Sequence, residues 1–278
     1  MTESQQALLR RYGIRPVKRR GQNFLVDTNL SRAIADDVAG VGSRVLELGA
    51  GGGALTVHLL DLCEQVTCVE VDRNLCALLD AEYGDRPSFT LREADLARLD
   101  WAEIIEAAGP RPVIAGNLPY VLTSTVLFAL ADRQADLAGG VFMVQKEVAE
   151  RLTAVPGGRD YGVLAVVLGS LFEISLRRTV PATVFWPQPE VASAIIRLLP
   201  REPWDPSELI PFIATVKLFF QQRRKQIGSS LRRQLKIDEQ AVVQMAQDVG
   251  FDPAQRPEQL DAACWRRLAR HLHPGGVA

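Results

Sequence analysis

Residues 44–54 read Arg44-Val45-Leu46-Glu47-Leu48-Gly49-Ala50-Gly51-Gly52-Gly53-Ala54. The first five residues form a short, mostly apolar run that predicts a buried strand. The glycines predict a tight turn whose backbone a ligand can approach closely, Gly49 and Gly51 foremost. Leu55 to Leu62 then reads as helix. Strand, glycine turn and helix in that order open a Rossmann-like α/β domain. The pattern continues downstream. Gln65 to Val71 is the next strand, and Glu70 near its end lies about twenty residues past the glycines, where an acid suits ribose hydroxyls. Ser88 to Arg92 is a third strand. Asp95 just beyond it is suited to accept a hydrogen bond from an adenine amine. Each acid equally suits the N-cap of the helix that follows it.

Val113-Ile114-Ala115-Gly116 predicts a further buried strand, and it delivers Asn117-Leu118-Pro119-Tyr120. Ligands of open α/β sheets bind outside the carboxyl ends of strands, which makes this corner a candidate reaction site. The tetrapeptide suits methylation of an exocyclic amine on a flat ring. Such an amine is a poor nucleophile because its lone pair is delocalised. The Asn117 side-chain oxygen and the Leu118 carbonyl each suit one N–H of it, favouring a pyramidal nitrogen and stabilising positive charge as the N–C bond forms. Pro119 stiffens the turn, and Tyr120 offers a ring face for stacking. Read more plainly, the same letters make a strand-to-helix turn capped by Thr123 or Ser124.

The chain has 278 residues, 47% hydrophobic and 23% charged, with net charge −1. That suits a globular protein with a substantial core. No apolar run reaches membrane-spanning length and the first residues are polar, so the expected location is the cytoplasm. The cysteines and histidines show no metal-ligand spacing, and no metal is expected. Global charge does not announce a polyanion partner, but its distribution does. Arg10, Arg11, Arg15, Lys18, Arg19 and Arg20 crowd one end, and Lys217, Arg223, Arg224, Lys225, Arg232, Arg233 and Lys236 crowd a later stretch.

Gly49, Gly51 and Ala54 also satisfy the dinucleotide pattern G-x-G-x-x-A. Asp95 and Asn117 are polar residues that a dinucleotide site does not need there, and nothing beyond Asn117 resembles a hydride-transfer domain. S-adenosylmethionine requires adenine, ribose and carboxylate contacts and no phosphate grip. Later, Phe172 to Arg178 and Ser193 to Leu198 read as the last strands. Between them the loop Val180 to Pro189 carries Phe185 and Trp186, aromatics suited to a second wall of a base pocket. Pro200 to Pro206 reads as a linker, and Glu208 to Lys236 is helical in pattern.

Several further stretches complete a family resemblance. They are Gly21-Gln22-Asn23-Phe24-Leu25, Gln145-Lys146-Glu147-Val148, Tyr161-Gly162-x-Leu164, Phe185-x-Pro187-x-Pro189-x-Val191-x-Ser193 and Arg223-Arg224-Lys225. With the glycine turn and Asn117-Leu118-Pro119-Tyr120, the chain resembles the small-subunit ribosomal RNA adenine dimethyltransferases of the KsgA type, from about Arg19 to the last helix. The resemblance implies a Rossmann-like class I S-adenosylmethionine-dependent methyltransferase domain over 1–203. A small all-helical domain that binds RNA or the ribosome follows over 204–278. It implies S-adenosylmethionine contacts at Asn23, Leu25, Gly49, Gly51, Glu70, Asp95 and Asn117, and catalytic roles for Asn117, Leu118, Pro119, Tyr120 and Phe185. RNA contacts fall on Arg19, Arg20, Arg223, Arg224 and Lys225. The implied substrate is a pair of adjacent adenosines near the 3′ end of small-subunit rRNA, dimethylated at N6 within an assembling 30S-type particle, by a monomer. A single-adenine methyltransferase of large-subunit rRNA and an RNA-binding assembly factor are the rival readings. Two departures stand out: Ala50-Gly51-Gly52 where the family usually has Pro-Gly-Leu, which implies a looser turn, and the bulky Trp186 beside Phe185.

Overall fold

Several helices begin at an aspartate that caps them, and the central strands are short apolar runs. The computed structural model describes residues 3–17 and 21–274. Arg19 and Arg20 therefore lie outside the described residues. The order is α1 (Gln5–Arg11), β1 (Phe24–Leu25), α2 (Thr28–Ala39), β2 (Arg44–Leu48), α3 (Thr56–Leu62), β3 (Gln65–Glu70) and α4 (Arg73–Tyr83). Next come β4 (Phe89–Glu93), α5 (Trp101–Ala107), β5 (Val113–Asn117), α6 (Thr123–Ala131), β6 (Gly139–Gln145) and α7 (Lys146–Leu152). The chain continues with α8 (Val163–Leu171), β7 (Phe172–Val180), β8 (Phe185–Trp186) and β9 (Ser193–Pro200). It ends with α9 (Pro206–Phe220), α10 (Ile227–Gln234), α11 (Glu239–Val249) and α12 (Ala262–Leu272). Asp27, Asp72 and Asp100 cap α2, α4 and α5, each accepting backbone N–H groups. Asp205, Asp238 and Asp261 do the same for α9, α11 and α12. Each such cap contributes roughly 0.5–2 kcal/mol.

The chain divides into two compact units, Met1–Ala149 with Ile174–Pro200, and Glu150–Glu173 with Arg201–Ala278. The main sheet has the order β4-β3-β2-β5-β6-β9-β7. β4, β3, β2, β5 and β6 pair in parallel, and β9 runs antiparallel to β6. This is the α/β, Rossmann-like architecture expected from the glycine turn. The order reverses between β2 and β5, the switch point where such sheets open a crevice. Gly116 serves that junction. A Cβ there would stand 2.4 Å from the Leu48 carbonyl oxygen, so the two central strands approach closely only because residue 116 has no side chain. In a separate ribbon β1 pairs with β8, Phe24 opposite Trp186 and Leu25 opposite Phe185.

The helical unit is built around Trp265, which is fully buried with the Phe219 ring 5.5 Å and the Phe220 ring 5.8 Å away. α8 packs on α9 and α12, which is why residues 150–173 join this unit although a cut at 203/204 leaves them in the first domain. The helical pattern over Glu208 to Lys236 is broken in the structure. α9 stops at Phe220 and α10 starts at Ile227. The amides of Ile227 and Gly228 donate instead to the carbonyls of Gln255 and Pro253, a tertiary partnership that helical periodicity cannot reveal.

Gly116→Ala should lower unfolding stability by about 1–3 kcal/mol through forced strand displacement, measured as a denaturant midpoint shift. An unchanged midpoint would show that β2 and β5 do not need this close approach.

Candidate active site

A cavity of about 390 Å³ opens at the carboxyl ends of the parallel strands, bordered by Gly49, Gly51, Glu70, Asp95, Asn117 and Tyr120 among others. That size fits a small-molecule site. The turn that shapes it needs glycine at Gly49, Gly51 and Gly53, whose φ angles are +69°, +58° and +81°. Glu70 is buried, and its carboxylate is held by the backbone. Oε2 accepts from the Gly51 amide at 2.9 Å, while Oε1 accepts from Val71 at 2.8 Å and Asp72 at 2.9 Å. A carboxylate has about four acceptor sites, so one remains on Oε2. Asp95 is exposed, and its Oδ1 accepts from the Ala97 amide at 2.9 Å. Its other oxygen accepts no hydrogen bond among the described residues.

The Asn117 corner is fixed from two directions. Its side-chain Nδ2 donates to the Asn23 carbonyl at 3.0 Å, which leaves Oδ1 without a partner among the described residues. Leu118 donates its amide to the Met143 carbonyl at 3.2 Å, and its own carbonyl accepts nothing among the described residues. Pro119 precedes a single 3₁₀ turn, Tyr120–Leu122. The Tyr120 hydroxyl lies 2.9 Å from Ser193 Oγ, so the ring is tethered at its far end. Asn23 and Leu25 border the same cavity. Among the described residues on the cavity wall, Glu47, Glu70 and Asp95 are acids and no Lys, Arg or His is present.

Two expected residues are placed elsewhere. Phe185 is buried in the hydrophobic core opposite Leu25 and does not border the cavity. The β1–β8 pairing turns it inward, so it supplies no second wall. Arg223 donates to the Gly158 and Arg159 carbonyls at 3.2 and 2.6 Å and lies 3.7 Å from Glu258. Its guanidinium ties parts of the helical unit together. Arg224 and Lys225 beside it are exposed. Three contributors escape sequence reasoning. The Asn23 carbonyl acts through its backbone, which no side-chain pattern reveals. Ser193 lies inside a matched motif, so a signal existed for it. Gln5, whose side chain borders the cavity and donates to the Gly52 carbonyl at 2.6 Å, has none.

Comparison with known proteins places these features in context. A family model described as ribosomal RNA adenine dimethylase matches residues 16–270. A protein of Anaeromyxobacter sp. (strain K) named ribosomal RNA small subunit methyltransferase A is 43% identical, over 97% of this chain and 98% of that one. One of the same name from Bacillus thuringiensis (strain Al Hakam) is 36% identical over 95% and 94%. Among solved structures, a dimethyladenosine transferase from Plasmodium falciparum superposes with a TM-score of 0.78, covering 91% of this chain and 98% of that one. At 21% identity that likeness speaks for the fold. The 23S rRNA methyltransferase ErmE is 27% identical with a TM-score of 0.69, over 90% of this chain and 99% of that one.

One wall residue titrates unusually. Glu47 on β2 is 2% exposed, and Oε2 accepts from Thr56 Oγ1 at 2.7 Å and Cys68 Sγ at 3.4 Å. Burial pushes its carboxyl up from 4.5 to about 7, against the two hydrogen bonds and with help from the Glu70 charge. Between those values the folded chain holds a proton that the unfolded chain has released, so this group's contribution to stability falls as pH rises from 4.5 to 7. Unfolding free energies measured across that window should fall for the native chain relative to Glu47→Gln. Parallel pH profiles would contradict the assignment.

Proposed function

The chain belongs to the ribosomal RNA adenine dimethylase family, and we propose that it transfers methyl groups from S-adenosylmethionine to N6 of two adjacent adenosines near the 3′ end of small-subunit rRNA. It is a methyltransferase of an α/β, Rossmann-like fold. The observation that carries the finer reading is a pair of free acceptors, Asn117 Oδ1 and Leu118 O, at a cavity with three carboxyl groups and no described cation. An acid-lined wall suits a cationic ligand and disfavours a diphosphate.

The residues fit S-adenosylmethionine on these grounds. Glu70 offers one acceptor to the ribose, Asp95 one to the adenine amine, and the glycine turn with Asn23 and Leu25 encloses the remainder. When bound, this cofactor supplies a methyl group already activated on sulfonium. The protein's share is positioning and charge stabilisation. Tyr120 stacks on the target base, with its ring tethered to Ser193. Asn117 Oδ1 and the Leu118 carbonyl accept the two N–H groups of the amine, drawing its lone pair out of the ring. No strong base is required, because the amine proton becomes acidic once the N–C bond exists. After the first methylation only one N–H remains, so one of the two acceptors loses its donor in the second round.

Arg224 and Lys225 in the helical unit, with Arg19 and Arg20, are proposed to meet phosphates, which dominate RNA affinity and carry no sequence information. The Arg223 charge adds to that field while its hydrogen bonds stay internal. The substrate is small-subunit rRNA in a partly assembled particle, the protein acts as a monomer, and its place is the cytoplasm. Among the described residues no helix is long and apolar enough to cross a membrane.

Mass spectrometry of rRNA from a strain lacking this protein tests the reading. Two adjacent dimethyladenosines should disappear from the small-subunit 3′ end, with large-subunit rRNA unchanged. Loss of a large-subunit methyladenosine instead would assign the enzyme to that substrate.

A further inference from the structure

The N-terminal helix meets the glycine turn at Gly52. Leu8 and Leu9 of α1 are buried in the core that also holds Ala50, Leu55 and Leu79. Gln5, one turn earlier, is half-buried and donates its side-chain amide to the Gly52 carbonyl. Gly52 differs from the other glycines of the turn. Gly49, Gly51 and Gly53 have positive φ, and Gly52 does not. Backbone conformation therefore does not require glycine at residue 52. Space does: a Cβ there would stand 2.3 Å from Gln5 Nε2 and 2.8 Å from Leu9 Cδ2. The turn is hollowed at Gly52 to seat α1, and Gln5 reaches through to the cavity wall.

The other end of α1 is held differently. Tyr12 Oη and Arg11 Nη2 both donate to Glu82 Oε1, at 2.7 and 2.9 Å. Arg11 also pairs with Glu3 at 2.9 Å. Arg11 and its acidic partners are exposed, and ion pairs of this kind contribute little net stability. α1 is seven residues long, too short to be stable by itself. Its place depends on two leucines and on the Gln5 hydrogen bond, which among the described residues is its side-chain hydrogen bond to the cavity wall.

We propose that Gln5 is a positioning residue of the cofactor site. It fixes the Gly52 carbonyl and hence the turn, and a cofactor in the cavity holds α1 down in return. This rests on S-adenosylmethionine being the ligand of that cavity. The relation is reciprocal: whatever α1 adds to cofactor affinity, the cofactor adds to α1 docking. A helix serving only the core has no such dependence on ligand.

The test is hydrogen exchange on the full chain with and without S-adenosylmethionine, read at the amides of Leu8, Tyr12 and Ile14. These donate to the carbonyls of Ser4, Leu8 and Leu9. The cofactor should slow their exchange by about ten-fold, within the usual range of coupling between sites. Gln5→Ala should abolish most of that protection and speed cofactor dissociation by about five-fold or more. Gln5→Glu, which cannot donate, should behave like Gln5→Ala. Gly52→Ala should do the same by displacing Gln5, and the Gln5 variants carry the test should Gly52→Ala fail to fold. Cofactor that binds without changing exchange in α1, or that leaves Gln5→Ala at the native rate, overturns the inference and leaves the cofactor assignment standing. Cofactor that does not bind at all overturns both.

Discussion

The hydrogen bond from Asn117 Nδ2 to the Asn23 carbonyl is the constraint on which the site depends. A side-chain amide has a donor end and an acceptor end. With the donor end taken, the oxygen must face the other way. Reversed, the amide would present N–H to the cavity, and the amine of the proposed substrate would meet a second donor. The bond joins residues 94 apart in sequence, so it exists only when two larger features are right. β5 must end at Asn117, in the place that Gly116 allows beside Leu48. The segment at Asn23 must lie across the cavity, where the short pairing of β1 with β8 holds it.

A second constraint is electrostatic. The cavity gathers Glu47, Glu70 and Asp95 with no described cation. Buried carboxylates are costly without partners, and this site meets the cost in three ways. Glu70 takes three backbone amides. Asp95 stays exposed. Glu47 keeps its proton to about neutral pH. A positively charged ligand suits a wall of acids, whereas a diphosphate would meet their repulsion. The glycine turn alone does not separate these two ligand classes, and the acids around it favour the first.

What was legible in the sequence was local. The run Arg44 to Ala54 announces strand, turn and helix through residue types that act within a few positions, and Glu70, Asp95 and Asn117 follow from strand ends. The inward turn of Phe185, the internal hydrogen bonds of Arg223 and the break in the helical pattern over Glu208 to Lys236 were not legible, because tertiary partners decide them. Phe185 faces the core because β8 pairs with β1. Arg223 turns toward two loop carbonyls, and the amides of Ile227 and Gly228 are claimed by a later loop. Gly52 reads as looseness in sequence and is a seat for Gln5 and Leu9 in the structure. Gln5 itself carries no pattern, since one glutamine on a short amphipathic helix looks like solvent-facing surface.

The central claim is that the outward oxygen of Asn117 stabilises the amine as it is methylated. Single-turnover methylation of assembled small-subunit particles by Asn117→Ala, with cofactor affinity measured alongside, tests it most directly. The rate should fall on the order of 10²–10³-fold, the scale of one preorganised transition-state hydrogen bond, with cofactor affinity changed far less and the ratio of monomethyl to dimethyl product altered. A wild-type rate with an unchanged product ratio would contradict it.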